Sequence, residues 1–286
     1  MAPASATRAC DPAGPVGCGS HRDRNVVPFG EAFRATAELL KRPSIASVTT
    51  RRSTIADKRF ERGLYTVPQA ARLVGMNAST LATWVHGYER TPVGRPLVKQ
   101  GPVITAVQMA ADHRVIPFIG LVEATVVQAF RRTRLPMQRI RKALQILADQ
   151  GELDHALASR QLYTDGAAVL YDYSRRHPED PIKLLTVVAS GQRVFHEVIL
   201  DYLTRITFDQ DPWATELIVP VTQTPLLRVR PGVAAGEPLF IVGGAPLSVV
   251  RSRYVAGEPV ESIAADYDVP SEHIVEALNA VWPSAA

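Results

Sequence analysis

The sequence predicts an α+β fold, and three observations carry that prediction. "TVPQAARLVGMNASTLATWV" (66–85) places two helical apolar stripes around a glycine corner. Short β-prone runs separated by Gly and Pro follow it and recur between 206 and 241. The end, "VESIAADYDVPSEHIVEALNAV" (260–281), repeats the two-helix pattern with an acidic polar face. The predicted architecture is a winged helix-turn-helix N-terminal domain, a mixed α/β middle and a small helical, helix-turn-helix-like C-terminal domain.

Residues 1–58 read as a disordered leader, rich in Pro, Gly, Arg and Ser, with one amphipathic stretch, "EAFRATAELLKR" (31–42). It lacks the apolar segment of a signal peptide, so a cytoplasmic location is the default expectation. Cys10 and Cys18 lie here with His21 in a C-x7-C-x2-H arrangement that matches no standard metal spacing, so they read as free thiols. No metal site and no cofactor are expected.

Residues 59–114 hold the winged helix-turn-helix. Val67, Ala70, Ala71 and Val74 form the first apolar stripe. Pro68 sits in the first turn, where a missing N–H is harmless, and Gly75 is placed for a left-handed end. Asn77 is positioned to cap a second helix that buries Leu81, Val85 and part of Trp84, leaving Ser79, Thr80 and Thr83 facing outward. "ERTPVGRPLVKQGPVIT" (89–105) reads as a hairpin wing with a Gly94-Arg95-Pro96 tip.

Residues 115–150 are a basic helical pair broken before Pro136. The stripe Leu121, Ala124, Val127, Phe130 resumes at Ile140, Leu144 and Leu147, and "RRTRLPMQRIRK" (131–142) carries six basic residues in twelve. Residues 151–237 form the mixed central region. "QLYTDGAAVLYDY" (161–173) suggests a hairpin, "GQRVFHEVILDYLTRI" (191–206) a helix, and "ITFDQDPWATELIVPV" (206–221) strand, turn, strand. Residues 238–286 are the acidic C-terminal domain, a β turn feeding three helices, with a corner at Asp268–Pro270 and Ser271 as the cap of the last.

Charge divides the 286-residue chain. The first 150 residues hold 22 Lys/Arg against 10 Asp/Glu, whereas the remainder holds 10 against 18. A basic front and an acidic back point to two kinds of partner, one of them polyanionic, although solvated faces can also be asymmetric by chance. No run of about 18 apolar residues occurs, so no membrane-spanning helix is expected.

The motifs of common enzymes are missing from the chain. There is no G-x-S-x-G, Walker-A loop or G-x-G-x-x-G, and "HEVILD" (196–201) fails the H-E-x-x-H pattern because Leu200 stands where the second histidine belongs. The expectation is a non-enzyme. A helix-turn-helix lays its second helix in the DNA major groove. Here Ser79, Thr80, Thr83 and His86 would reach base edges, with Arg72, Arg90, Arg95 and Lys99 on phosphates and Arg131, Arg132, Arg134, Arg139, Arg141 and Lys142 nearby. The bland alternative is a helical corner used for dimer contacts.

"YTVPQAARLVGMNASTLATW" (65–84) resembles the start of a MerR-like winged helix, with Tyr65, Thr66, Ala71, Arg72, Leu73, Gly75, Thr80, Leu81 and Trp84 in place. Ala82 departs from it, where such proteins usually carry an arginine near the phosphates. From about residue 58 onward, the order of "RFERGLYTVPQAARLVGMNASTLATWVHGY", "GLVEATVVQAFRR", "HALASRQLYTDGAAVLYDY" and "YVAGEPVESIAADYDVPSEHIVEALNAV" resembles VapB-type antitoxins with a small C-terminal domain. That resemblance implies a bacterial type II toxin–antitoxin pair: the chain would neutralise a PIN-domain ribonuclease and repress its own promoter as a homodimer on double-stranded DNA. The acidic end, through Glu261, Asp266, Asp268, Glu272 and Glu276, would dock the toxin. A competing reading is a stand-alone MerR-like regulator that senses a small molecule among Tyr163, Tyr171, Tyr173, Phe195 and Trp213. A third is an interaction scaffold without DNA binding.

Overall fold

The computed structural model describes residues 57–91, 94, 96–108, 113–132, 136–151, 155–160, 162, 204–210 and 212–283. All belong to one unit, Arg51–Ala286. The leader up to residue 56, the predicted hairpin at 161–173 and the predicted helix at 191–206, apart from Leu162 and residues 204–206, lie outside the described residues.

Helix α1 (Lys58–Glu61) starts where the Asp57 carboxylate accepts from the Arg59 amide. Part-burial works against that carboxylate, but hydrogen bonds and charge from Arg59, 2.6 Å away, outweigh it and hold its pKa below the usual range. The helix-turn-helix follows as predicted, with α2 (Val67–Val74) and α3 (Ala78–His86). A capping box opens α2: Thr66 Oγ1 accepts from the Gln69 amide, and Gln69 Oε1 accepts from the Thr66 amide. Gly75 closes it at φ 69°, donating its N–H to carbonyls of the last turn. Asn77 occupies the N-cap of α3, but its side chain makes no capping hydrogen bond, which corrects the predicted cap. Leu81, Trp84 and Val85 are buried beneath α3. Each such side chain contributes roughly 1.5–3 kcal/mol.

The wing is the antiparallel pair β1 (Tyr88–Arg90) and β2 (Val98–Gln100), in register Glu89 to Lys99. A lone bridge between Tyr65 and Ile116 joins the chain before α2 to the chain before α4. Helix α4 (Phe118–Arg132) carries the predicted stripe, yet it is buried on nearly every side, from Phe118 through Phe130. It packs against α1, α2, α5 (Met137–Gly151) and the 3-10 turn Ala156–Ala158, which together cover all but its C-terminal end.

Strands β3 (Ile206–Thr207), β4 (Glu216–Ile218), β5 (Leu227–Val229) and β6 (Leu239–Phe240) form an antiparallel sheet in chain order. Leu217, Leu227, Val229 and Phe240 line its buried face. Three helices complete the described chain, α6 (Leu247–Val255), α7 (Val260–Tyr267) and α8 (Ser271–Val281). The corner between α7 and α8 is Asp268 at φ 52°. Pro270, not Ser271, holds the N-cap of α8, and the Ser271 hydroxyl turns to Glu272 at 3.4 Å instead.

Candidate nucleic-acid interface

Helix α3 is pinned from below by Leu81, Trp84 and Val85, so its remaining residues form the outer surface of the motif. Ser79 and His86 are exposed on it, while Thr80 is half-buried. The Thr83 hydroxyl donates to the Thr80 carbonyl at 2.7 Å, so the predicted outward row of three hydroxyls is reduced by one donor.

The predicted phosphate contacts separate into groups. Arg90 is exposed on the wing. Lys99 is exposed too, but forms an ion pair with its cross-strand neighbour Glu89. Arg95 and Arg134 lie outside the described residues. Arg72 turns toward the C-terminus, its guanidinium 6.0 Å from the Trp282 ring centroid, with Arg251 over the same ring at 4.6 Å. Arg141 donates to the Gly101 carbonyl at 2.6 Å and fixes the exit of the wing to α5, and its burial lowers its pKa.

Arg131 and Arg132 end α4 beside the helix-turn-helix corner. Arg132 Nη2 lies 3.4 Å from where a Gly75 β-carbon would stand, and Arg131 shares a surface groove with Asn77, Thr80 and Gln128. Both arginines are exposed. Together with Arg90 they flank α3 with positive charge, whereas the charge of Lys99 is offset by Glu89. The sequence placed these two only in a basic run; their position at the corner comes from the packing of α4 against α2.

A polar contact that the sequence did not reveal supports the wing from beneath. Glu123, in the middle of α4, is 4% exposed. Its carboxylate accepts from the Thr105 amide at 2.5 Å and from the Thr105 hydroxyl at 3.0 Å, and His155 Nδ1 lies 3.2 Å away. The wing's exit strand, the central helix and the turn that opens the middle region thus meet on one carboxylate. A buried charge persists only where hydrogen bonds satisfy it in this way.

In the C-terminal helices the expected docking residues Glu261, Asp268, Glu272 and Glu276 are exposed. Asp266 is exposed but held by Arg253 at 2.5 Å, and Arg253 also pairs with Glu258. Glu272, Val275, Glu276 and Asn279 form one exposed face of α8 at i, i+3, i+4, i+7 spacing. Tyr163, Tyr171, Tyr173 and Phe195 of the competing sensor reading lie outside the described residues, while Trp213 packs edge-on against Phe60 at 5.2 Å. Among the described residues there is no group of three or more His, Cys, Asp or Glu set to hold a metal, and no helix long and apolar enough to cross a membrane.

Comparison with known proteins agrees with the helix-turn-helix. A family model described as "Putative DNA-binding HTH domain" matches residues 63–144. The chain is 38% identical over 230 residues to "Putative antitoxin VapB45" of Mycobacterium tuberculosis (strain ATCC 25618 / H37Rv), covering 78% of this chain and 95% of that protein. It is 21% identical over 237 residues to "Uncharacterized protein Rv2308" of the same strain, covering 77% of this chain and 90% of that one. The crystal structure of Rv2018 from Mycobacterium tuberculosis superimposes with a TM-score of 0.63 at 35% identity, over 77% of this chain and 99% of that chain.

Proposed function

The chain belongs to the VapB-type antitoxin family, and from that premise we propose that it neutralises a PIN-domain ribonuclease toxin and represses its own promoter. It acts by binding, without catalysis, as a cytoplasmic homodimer on double-stranded DNA. The observation that carries the DNA half is the exposed surface of α3 between the wing and the Arg131–Arg132 corner. A twofold dimer would present two such helices to a symmetric operator. In this reading Ser79, Thr80 and His86 reach base edges and Arg90, Arg131 and Arg132 hold phosphates, while Arg72, facing Trp282, supports the motif from behind.

The toxin half draws support from the acidic face of α8. A ribonuclease must present positive charge to its substrate, and Glu272 and Glu276 around Val275 offer an acidic, partly apolar counterpart. Co-expression of the chain with a PIN-domain ribonuclease encoded next to its own gene tests this half. Growth rescue and loss of RNA cleavage are expected, and Glu272→Lys with Glu276→Lys should abolish both. Rescue that survives replacement of residues 238–286 by an unrelated tail would overturn the assignment of the acidic end.

A further inference from the structure

We propose that a cavity between the helix-turn-helix and the C-terminal helices binds a small molecule carrying one carboxylate on an apolar body. This goes beyond the antitoxin reading and does not depend on it. The cavity measures about 310 Å³, a volume that suits a small ligand. Arg72 and Leu73 of α2 form one wall, Leu247, Val281 and Trp282 another, and the turn Ala234–Gly236 lies between them.

The chemistry of the walls selects the ligand. Arg72 lies half-buried over Trp282 and has no carboxylate partner among the described residues. A guanidinium that lines a cavity and forms no ion pair among the described residues is matched best by a planar oxyanion that accepts two of its N–H groups. Glu237 also lines the cavity, so a dianion such as phosphate meets more repulsion there than a singly charged carboxylate does. Leu73, Leu247, Val281 and the Trp282 ring supply an apolar surface for the ligand's body.

The turn has the geometry of a site as well. Ala234 at φ 46° and Ala235 at φ 53° stand side by side in the left-handed region that β-carbons disfavour. The next residue, Gly236, is held by a hydrogen bond from the buried Tyr65 hydroxyl to its carbonyl at 2.5 Å. Burial, with the charge of Glu237 adding, pushes the Tyr65 phenol far above its ordinary pKa, so it stays a donor at any working pH. Backbone held in such regions clusters where a ligand is gripped.

The test titrates the full chain with benzoate, phenylacetate and octanoate at fixed ionic strength, with benzamide and inorganic phosphate as comparators. Tryptophan fluorescence and calorimetry are the two readouts. At least one monocarboxylate should bind saturably at millimolar concentration or below, with benzamide and phosphate about tenfold weaker or more. Arg72→Gln should weaken binding by about tenfold or more. Trp282→Phe should remove the fluorescence change while calorimetry still registers heat. Ser248→Trp places bulk at the exposed rim of the cavity, where folding is undisturbed, and should block binding. Absence of saturable binding by all three acids, or binding that survives both Arg72→Gln and Ser248→Trp, would overturn the proposal. Neither readout involves DNA or toxin, so failure here is separate from failure of the antitoxin reading.

Discussion

Truncating Glu123 to alanine should loosen the wing from the central helix. In the native chain this carboxylate, 4% exposed, accepts from both the amide and the hydroxyl of Thr105. Removing it leaves the Thr105 amide in a part-buried site without its acceptor and opens space within α4's packing. Hydrogen bonds to a charged group contribute about 1.5–3 kcal/mol, and relief of the carboxylate's own desolvation offsets some of that. The expected net loss is about 2 kcal/mol, or roughly 4–8 °C in melting temperature for a unit of this size. Glu123→Gln keeps one acceptor oxygen for the amide and should lose about half as much. Urea unfolding followed by circular dichroism measures both variants on a common slope. A change for Glu123→Ala within about 0.5 kcal/mol of wild type, as for a surface substitution, would refute the reasoning.

Further outcomes follow from the same structure. Leu81→Ala removes a fully buried side chain under α3 and should lower stability by about 2–5 kcal/mol in the same urea assay. Gly236→Ala should destabilise more than Gly244→Ala, because only the first brings a β-carbon to 2.6 Å from Leu64 Cδ1, although both glycines have positive φ; paired thermal melts give the difference. Arg253 hydrogen bonds hold the Glu258 pKa below its ordinary value, so this ion pair contributes fully above the unfolded pKa near 4.3 and fades as pH falls through the lower folded value. Carboxyl NMR titration should show a depressed Glu258 midpoint that returns to the ordinary range in Arg253→Gln. Replacing Arg131 and Arg132 by Gln should make the slope of log affinity for operator DNA against log salt shallower, by about one for each phosphate no longer neutralised.

What the sequence made legible was local. Gly75 and Pro68 announce their positions because a left-handed corner and a missing amide constrain the chain at single residues. The capping box is equally legible in Thr66 and Gln69, three apart, although the apolar stripe alone does not point to it. At Asn77 the residue type marks the cap position but says nothing about where its side chain finally turns, so the expected capping bond is not made. The same holds for Ser271, whose hydroxyl faces Glu272.

Roles set by distant packing were hidden. Nothing local marks Glu123, because its partners Thr105 and His155 are 18 and 32 residues away. Arg72 reads as a phosphate contact of the helix-turn-helix, and Arg141 as part of a basic run near it. Trp282 and the Gly101 carbonyl, which engage them, come from remote parts of the chain. Lys99 pairs with Glu89 through the hairpin register, which follows only once the wing's turn length is known. The candidate DNA surface was therefore legible as a motif, while its cations were sorted by tertiary contacts.

Whether α3 reads DNA is the central question. Fluorescence anisotropy of the full chain on the duplex upstream of its own reading frame, against a scrambled duplex at two salt concentrations, measures this directly. The expected result is selective binding that weakens steeply with salt and loses its selectivity in Ser79→Ala with Thr80→Ala. Equal binding to both duplexes, or none, with and without the cognate toxin present, would contradict it and leave the motif a structural corner.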